Sequence, residues 1–237
     1  MSQKLGVLGG MGPLATADFF YKLTLASKAE RDQDHIETVI YSATRTPDRS
    51  SSIMGQGPSP LPMLIEGVSL LVDAGVSVIA IPCNTAHYWH ADLARFSRVP
   101  ILHIAESACE ALRAAGGPVA KVGLLATTGT LHAGIYQPPL AARGYEAVLP
   151  TASEQDEFVQ PAIGLVKAGD VAGARALLEA AIDALVARGA TRIVMGCTEI
   201  PVALANSRRA PMLVDATAAL VSACIAHCTG EPREDRT

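Results

Sequence analysis

Two cysteines occupy equivalent places in the sequence, each directly after a short apolar segment. The segment VSVIAIP precedes Cys83, and RIVMG precedes Cys197. Short apolar runs that alternate with helical patterns are typical of buried parallel strands, and α/β proteins bind ligands at the carboxyl ends of such strands. A thiol at that place lies near a helix N-terminus, whose positive end lowers the thiol pKa. We therefore predict two reactive thiols at one binding cleft.

Two thiols on opposite faces of a carbon atom can invert its configuration. One thiolate removes the proton, and the opposite thiol supplies a new one. This chemistry requires no redox cofactor, but it needs donors that stabilise the carbanion-like state and a site without water. Polar residues directly follow each cysteine, namely Asn84, Thr85, Thr198 and Glu199. We expect these residues to cap helices or to bind substrate oxygens.

A glycine-rich segment, GVLGGMGPLATADFF, spans residues 6 to 20. A strand, a glycine turn and a helix in this order are typical of an anion-binding loop. The pattern GMGPLA fits a dinucleotide motif loosely. However, the next strand, TVIYSAT, does not end in the acidic residue that would bind a ribose, and no Walker lysine follows the loop. We therefore predict that the loop around Met11 and Gly12 borders a small substrate rather than a nucleotide.

Alternating patterns of strands and helices surround these residues. Strands are predicted at KLGVLG, TVIYSA, VSVIAIP, ILHI, KVGLLAT and RIVMG, and helices at PLATADFFYKLTLASKA, LPMLIEGVSLLVDAG, ARALLEAAIDALVARG and DATAALVSACIAHC. Gly75 and Gly189 lie where helix C-caps are expected. This alternation predicts parallel sheets covered by helices.

The order of these elements repeats along the chain. The segment KLGVLGGMGPL is similar to KVGLLATTGTL, and LVDAGVSVIAIPCNT is similar to LVARGATRIVMGCTE, at nearly equal separations. Any two βα units share such features, but here Cys83 also aligns with Cys197. We therefore predict an α/β protein with two pseudo-symmetric lobes. Each lobe is a parallel sheet flanked by helices, and the active site lies in the cleft between them.

The predicted lobe boundaries follow from the same repeat. The first lobe comprises residues 1–99 plus 208–228, and the second comprises residues 100–207. The charged segment 229–237, TGEPREDRT, is expected to be a disordered tail.

Composition excludes several classes of protein. The chain has 237 residues, a net charge of −4 and scattered basic residues, so a nucleic-acid partner is not expected. No apolar run is long enough for a membrane span, and the N-terminus does not have the pattern of a signal peptide, so we expect a cytoplasmic protein without a membrane partner. The odd count of five cysteines argues against a disulfide framework.

The remaining three cysteines, Cys109, Cys224 and Cys228, are expected to pack in the core. Cys224 and Cys228 lie beside His227, which suggests a metal site, but no second ligand pair is evident in the sequence. No metal is therefore predicted.

Six motifs occur in an order that resembles the aspartate racemases of the aspartate/glutamate racemase superfamily. They are GGMGPLATADFF, PDR, PCNTAH, LLATTGT, VKAGD and GCTEIP, and the resemblance extends from about residue 4 to residue 228. It implies two α/β lobes, a homodimer and the absence of pyridoxal phosphate or another cofactor. It also implies that Cys83 and Cys197 are the two catalytic acid–bases.

The resemblance also implies a set of substrate contacts. Arg49 and Lys167 would bind the distal carboxylate, because an arginine fork suits two oxygens. The α-carboxylate and ammonium would be bound by Asn84, Thr85 and Thr198. The loop at Met11 and Gly12 would border the substrate, and Thr127 and Thr128 would line the cleft. Glu199 either caps a helix or polarises the nearby thiol. His87 is able to activate a thiol or to pack on the helix surface, and we expect a supporting role.

The segment that contains Arg49, residues 44–62, is rich in Pro, Ser and Gly. It is long for an ordinary connection, so it is either a solvated surface loop or a lid that carries Arg49 over the substrate and excludes water.

These features together predict an amino-acid racemase that acts on aspartate by transferring protons at Cα. Alternatives are a glutamate or broad-specificity racemase, and a maleate isomerase or decarboxylase of the same superfamily. A non-catalytic protein that binds amino acids is a further alternative, although the presence of both cysteines argues against it.

Overall fold

Seven strands form two parallel sheets in the computed structural model, which describes residues 3–116, 120–205 and 207–230. The first sheet has the order β2-β1-β3, and the second has the order β5-β4-β6-β7. The strands are β1 (Leu5–Gly9), β2 (Thr38–Ser42), β3 (Val78–Ala80), β4 (Lys121–Ala126), β5 (Glu146–Val148), β6 (Arg192–Gly196) and β7 (Leu213–Asp215).

Helices flank both sheets. They are α1 (Pro13–Ala26), α2 (Arg49–Ile53), α3 (Leu61–Asp73), α4 (His90–Phe96), α5 (Ile104–Ala114), α6 (Thr128–His132), α7 (Gln137–Ala141), α8 (Ala152–Glu154), α9 (Gln160–Ala168), α10 (Val171–Ala187), α11 (Ile200–Leu204) and α12 (Ala216–Thr229). A π-helical turn at Gln155–Val159 joins α8 to α9. Short 3-10 turns occur at Asp32–Asp34, Thr85–Trp89 and Ala210–Met212. The predicted fold class is confirmed.

Strand pairing supports the internal repeat. In the first sheet β1 lies between β2 and β3, and in the second sheet β4 lies between β5 and β6. The register agrees in detail: Ile79 of β3 forms a parallel bridge with Ile101, and the aligned Ile193 of β6 pairs with Leu213 of β7. The two halves therefore share one plan, with a single bridge in the first half where the second half has a strand.

The strand predicted at ILHI is wrong. Only its first residue, Ile101, pairs with β3, and α5 begins at Ile104. The reason is local, because the His103 side chain accepts a hydrogen bond from the Ala105 N–H and so caps the helix N-terminus. The expected C-caps agree with the structure, since Gly75 and Gly189 both have positive φ, of 75° and 93°.

Two long helices join the lobes through a shared core. Helix α12 packs against α1 and β3, whereas α5 packs against β7, β6 and α7, and the two helices pack against each other. One cluster of buried side chains accordingly includes residues of both sheets, such as Val7 and Leu124. Burial of apolar surface between the lobes thus stabilises their relative position.

The lobe boundaries remain a prediction. Residues 208–228 contain α12, which packs on the first lobe, but also β7, which pairs with β6 of the second sheet. Most of the expected disordered tail, residues 231–237, lies outside the described residues. Among the helices that the structure describes, none is long and apolar enough to cross a membrane.

Candidate active site

The carboxyl ends of β1, β3, β4 and β6 meet at a small cavity between the lobes. Its volume is about 20 Å³, and its walls are formed by Met11, Asp48, Arg49, Ser50, Cys83, Asn84, Thr85, Thr127, Lys167, Cys197, Thr198 and Glu199. Both cysteines that align in the internal repeat therefore line one cavity. This volume is sufficient for about one water molecule.

The structure brings together ten of the twelve residues that the sequence singles out. The exceptions are Gly12 and Thr128. Gly12 lines an adjoining cavity. Thr128 lines neither cavity. Its backbone N–H and hydroxyl instead donate to Gln160 Oε1, each at 3.3 Å.

The Cys197 thiol is paired with a carboxylate. Its Sγ donates to Glu199 Oε2 at 3.0 Å, and the Thr198 hydroxyl donates to the same oxygen at 3.3 Å. Burial and the Glu199 charge raise the pKa of the Cys197 thiol well above its usual range. Glu199 precedes α11 but makes no side-chain cap for it. Of the two interpretations of Glu199, the geometry therefore favours contact with the thiol.

The Cys83 segment is held through its backbone by His87. Nδ1 of His87 lies 2.9 Å from the Cys83 carbonyl oxygen, and Nε2 accepts from the Ile104 N–H at 3.1 Å. Because an N–H must donate to Nε2, the proton of the neutral ring is on Nδ1, which then donates to Cys83. His87 is buried rather than on the surface, and its hydrogen bond to Cys83 is to the backbone carbonyl oxygen.

Three histidine rings pack together behind this segment. The ring centroids of His87 and His103 are 4.9 Å apart, and those of His90 and His103 are 4.6 Å apart. Burial, together with the neighbouring His103, lowers the pKa of His87 to about 3. Burial and His90 lower the pKa of His103 to about 4. Both rings are therefore neutral near pH 7.

Three threonine hydroxyls form a closed triangle between the lobes. Thr85 Oγ1 of the first lobe lies 3.0 Å from Thr127 Oγ1 and 2.8 Å from Thr130 Oγ1, and the latter two atoms are 2.9 Å apart. Each hydroxyl has one proton to donate, so the triangle satisfies all three buried groups. Thr127 also caps α6 by accepting from the Thr130 N–H.

Arg49 is the first residue of α2, so the segment 44–62 is not an irregular loop throughout. The Asp48 carboxylate accepts from the Ser51 N–H at 2.7 Å and caps this helix. Helix α2 packs closely on α6, where a Cβ on Gly129 would lie 2.7 Å from the Ser50 Cα. Glycine at position 129 therefore permits the contact that places Arg49 at the cavity.

The Arg49 guanidinium is held at the cavity by backbone carbonyls. It donates to Thr46 and Pro47 at 3.2 and 3.0 Å, and to Met11 at 3.4 Å. Its Nε is buried and has no partner among the described residues.

Lys167 approaches the same cavity from the last turn of α9. The motif VKAGD around it has a local explanation: α9 ends at Ala168, Gly169 adopts a φ of 92°, and Asp170 caps α10. Burial acts to raise the pKa of Asp48, but hydrogen bonds from Ser51 and the Arg49 and Lys167 charges lower it overall. The cations Arg49 and Lys167 therefore line the same cavity as the carboxylates of Asp48 and Glu199.

The glycine-rich loop is fixed by Thr16 of α1. The Thr16 hydroxyl accepts from the Gly10 N–H at 2.8 Å and donates to the Gly12 carbonyl at 3.0 Å. Gly10 has a φ of 86°, and a Cβ there would lie 2.4 Å from the Ala43 N. Only glycine suits this position, which explains one glycine of the motif.

A larger cavity of about 270 Å³ adjoins the first one. The two share Met11, Arg49, Lys167 and Glu199. The remaining walls are mostly apolar, namely Gly10, Gly12, Pro13, Leu14, Ala15, Thr44, Val166 and Val202.

Sequence analysis missed several residues at this site. Asp48 and Ser50 line the cavity beside Arg49. Asp48 is the central residue of the PDR motif and Ser50 follows it, which was an available signal. Thr130 lies three residues after Thr127 in ATTGT, a spacing that brings both onto one helical turn. Tyr136 lies within hydrogen-bond distance of Asn84 from the other lobe, and no local signal marks this contact.

The other three cysteines lie away from the cavity. Cys109 and Cys224 are fully buried, and Cys228 is half-buried. Burial raises the pKa of Cys109 to about 11. No cluster of three or more histidine, cysteine or acidic side chains suited to a metal ion occurs in the described ranges.

Comparison with known proteins connects this site to one family. Residues 8–224 match the family model described as Asp/Glu/hydantoin racemase. The aspartate racemase of Picrophilus torridus superposes with a TM-score of 0.85 and 30% identity, covering 98% of this chain and 96% of that one. The broad-specificity amino-acid racemase RacX of Bacillus subtilis is 28% identical over 229 residues, or 93% of this chain and 96% of that one.

A third similarity covers only part of both chains. A glutamate racemase of Pseudomonas paraeruginosa is 34% identical over 138 residues, which are 55% of this chain and 48% of that one.

The low pKa of His87 predicts a loss of stability in acid. The unfolded chain, with an ordinary histidine pKa near 6.5, binds a proton that the folded protein excludes down to about pH 3. The free energy of unfolding should therefore fall as the pH drops below about 6.5, by about 2 kcal/mol at pH 5 from His87 alone. Denaturant unfolding of wild type and His87→Gln at pH 7.5 and pH 5 measures this difference.

The control is His132→Gln, which changes an exposed histidine of α6. His87→Gln should lose about 2 kcal/mol less stability than wild type between the two pH values, and the control should behave as wild type. Equal losses in all three proteins would contradict the assignment of a buried neutral ring.

Proposed function

The chain belongs to the Asp/Glu/hydantoin racemase family, and we propose that it interconverts L- and D-aspartate by proton transfer at Cα between Cys83 and Cys197. The observation that carries this proposal is that both thiols line one cavity at the carboxyl ends of equivalent strands. The substrate Cα would lie between them, so that each thiol reaches one face.

The reaction moves one proton off Cα and another onto it. A thiolate takes the Cα proton and becomes a thiol, while the opposite thiol gives its proton to the other face and becomes a thiolate. The two cysteines exchange protonation states in each turnover, and the reverse reaction starts from that exchanged state. The thiols themselves supply acid and base, so we propose that no pyridoxal phosphate and no metal are required.

Glu199 determines the starting state of the Cys197 thiol. Its carboxylate accepts the Cys197 proton in a hydrogen bond, and the raised pKa keeps Cys197 protonated in the unliganded cavity. In this state Cys197 is the proton donor. When Cys197 must act as the base, Glu199 is within reach to take its proton.

The remaining polar walls supply hydrogen-bonding groups for the substrate. We propose that Asn84, Thr85 and Thr198 bind the α-carboxylate and ammonium groups, and that Arg49 and Lys167 bind the distal carboxylate. Burial of Asn84 and Thr198 strengthens such hydrogen bonds, because few water molecules compete with them. The family resemblance also supports a cytoplasmic homodimer, which we include in the proposal.

Single-cysteine variants test the two-base assignment. Cys83→Ala and Cys197→Ala should each lower kcat for racemisation by roughly 10²- to 10⁴-fold, because one acid–base group is lost. Each variant keeps one thiol and should still exchange the Cα hydrogen of one enantiomer with solvent deuterium. Chiral chromatography and proton NMR measure the two activities.

The matched control is Cys228→Ala, which removes a half-buried thiol of α12 outside the cavity and should keep wild-type rates. Near-normal racemisation by either site variant, with circular dichroism unchanged, would refute the assignment. Conversion of maleate to fumarate, or decarboxylation, without Cα exchange of aspartate in the wild type would instead indicate the isomerase or decarboxylase alternatives.

Arg49 and Lys167 decide the preference for dicarboxylic substrates. A hydrogen bond to a charged group contributes roughly 1.5–3 kcal/mol, so Arg49→Ala or Lys167→Ala should lower kcat/KM for aspartate by about 10- to 150-fold. Arg49→Lys should also be impaired, because a single ammonium does not reproduce the two-donor fork. Measured kcat/KM values for asparagine should change little.

If all three variants keep wild-type kcat/KM for aspartate, the distal carboxylate is bound elsewhere, and the preference for aspartate loses its main support.

The adjoining cavity favours a second candidate function, a racemase of broader specificity. It lies beyond the shared walls Arg49 and Lys167 and has apolar sides and a volume of about 270 Å³. A side chain longer than that of aspartate could extend into it. The similarity to the broad-specificity racemase of Bacillus subtilis agrees with this candidate.

A substitution that fills the larger cavity separates the two candidates. Val202 lines this cavity and does not line the smaller one. If long side chains use the larger cavity, Val202→Phe should lower kcat/KM for glutamate and methionine by about tenfold or more, since overpacking excludes them, and change aspartate little. Val202→Ala is the control and should preserve all three. An equal effect on every substrate would contradict a side-chain pocket.

A further inference from the structure

Tyr136 connects the second lobe to the candidate active site of the first. It precedes α7, its side chain is fully buried, and its hydroxyl donates a hydrogen bond to Oδ1 of Asn84. The ring also packs against the end of β6, where a Cβ on Gly196 would lie 3.1 Å from Tyr136 Cε2. Tyr136 therefore lies behind both cysteine segments and contacts the residue after Cys83 and the residue before Cys197.

The direction of this hydrogen bond follows from the atom that faces the phenol, which is the amide oxygen of Asn84, an acceptor. Burial, with smaller contributions from Cys109 and Asp215, raises the pKa of Tyr136 well above its usual value. The hydroxyl therefore keeps its proton and donates a hydrogen bond to Asn84 Oδ1.

The other end of the Asn84 amide is unsatisfied. Asn84 lines the cavity beside Cys83 and is 3% exposed, and its Nδ2 has no hydrogen-bond partner among the described residues. Leaving such a buried donor unpaired is costly, and groups of this kind in native proteins usually have a partner such as an ordered water, an ion or a ligand. The free donor therefore indicates an acceptor that enters with the ligand.

The two ends of an amide have opposite hydrogen-bonding character. With Oδ1 held by the phenol, both N–H bonds of Nδ2 are available to a carboxylate. Without that contact the amide can turn about its last torsion, and an oxygen that faces the carboxylate would repel it.

We propose that Tyr136 is a positioning residue that fixes the Asn84 amide so that Nδ2 donates to the α-carboxylate of the substrate. This inference rests on the proposed function, which places an amino acid in the cavity. It also means that a residue of the second lobe sets the recognition chemistry of the first.

A double-mutant cycle tests the proposal. In the wild-type background, Tyr136→Phe should lower kcat/KM by about 3- to 10-fold and should raise both KM and the calorimetric Kd for L-aspartate. In the Asn84→Ala background the same change should have less than a twofold effect, because no amide remains to be oriented. Tyr145→Phe, a half-buried tyrosine of the same lobe, should leave these constants unchanged.

Asn84→Asp tests the orientation directly. The aspartate side chain can still accept from Tyr136, but it presents a carboxylate oxygen to the cavity in place of the amide donor. Asn84→Asp should therefore weaken substrate binding more than Asn84→Ala does. A purely structural role of Tyr136 would act equally in both backgrounds. A change in thermal stability alone therefore does not produce the predicted difference between the two effects of Tyr136→Phe.

Equal effects of Tyr136→Phe in both backgrounds, or an Asn84→Asp variant that binds as well as Asn84→Ala, would overturn the proposal. These results are independent of the wild-type activity test. A wild type that binds aspartate without racemising it refutes the proposed function, but the double-mutant cycle can still be measured through the Kd for aspartate. A wild type that neither binds nor racemises any amino acid overturns both.

Discussion

The closed triangle of threonine hydroxyls between the lobes is the contact on which the rest of the site depends. Thr85 belongs to the segment after Cys83, whereas Thr127 and Thr130 follow β4 of the second lobe. Three buried hydroxyls satisfy one another only when the lobes are at one separation, because hydrogen bonds weaken steeply with distance and angle. The triangle therefore fixes the position of the Cys83 segment relative to the second lobe, which contains Cys197.

The site combines this fixed geometry with unequal electrostatics. Cys197 donates to a buried carboxylate, whereas the hydrogen bond beside Cys83 is made by its backbone carbonyl with a neutral His87. The repeat in the chain thus gives equivalent positions to the two thiols, but it does not give them equivalent environments. A racemase must work in both directions, and we infer that the contact with Glu199 keeps Cys197 protonated before substrate binds.

Much of this site could be predicted from the sequence, because its residues follow strands that have clear apolar patterns. Cys83 and Cys197 lie at strand ends that the alternation locates, and the polar residues after them share that placement. The contacts of Tyr136 with Asn84 and of Thr130 with Thr85 were not predictable, because they depend on how two lobes pack over long sequence separations. The incorrect strand at ILHI has a different, local cause: its apolar pattern suits a buried strand, but the His103 cap starts a helix after a single bridge.

The central claim is that two bases act on opposite faces of Cα, and isotope incorporation by the wild-type protein tests it most directly. The protein would be dialysed against a chelator and incubated with L-aspartate in D₂O, with both enantiomers analysed by chiral chromatography and mass spectrometry at early times. The account predicts D-aspartate that carries deuterium at Cα in nearly every molecule, while the remaining L-aspartate keeps its original hydrogen. Formation of D-aspartate that retains the original hydrogen, or equal early labelling of both enantiomers, would contradict it.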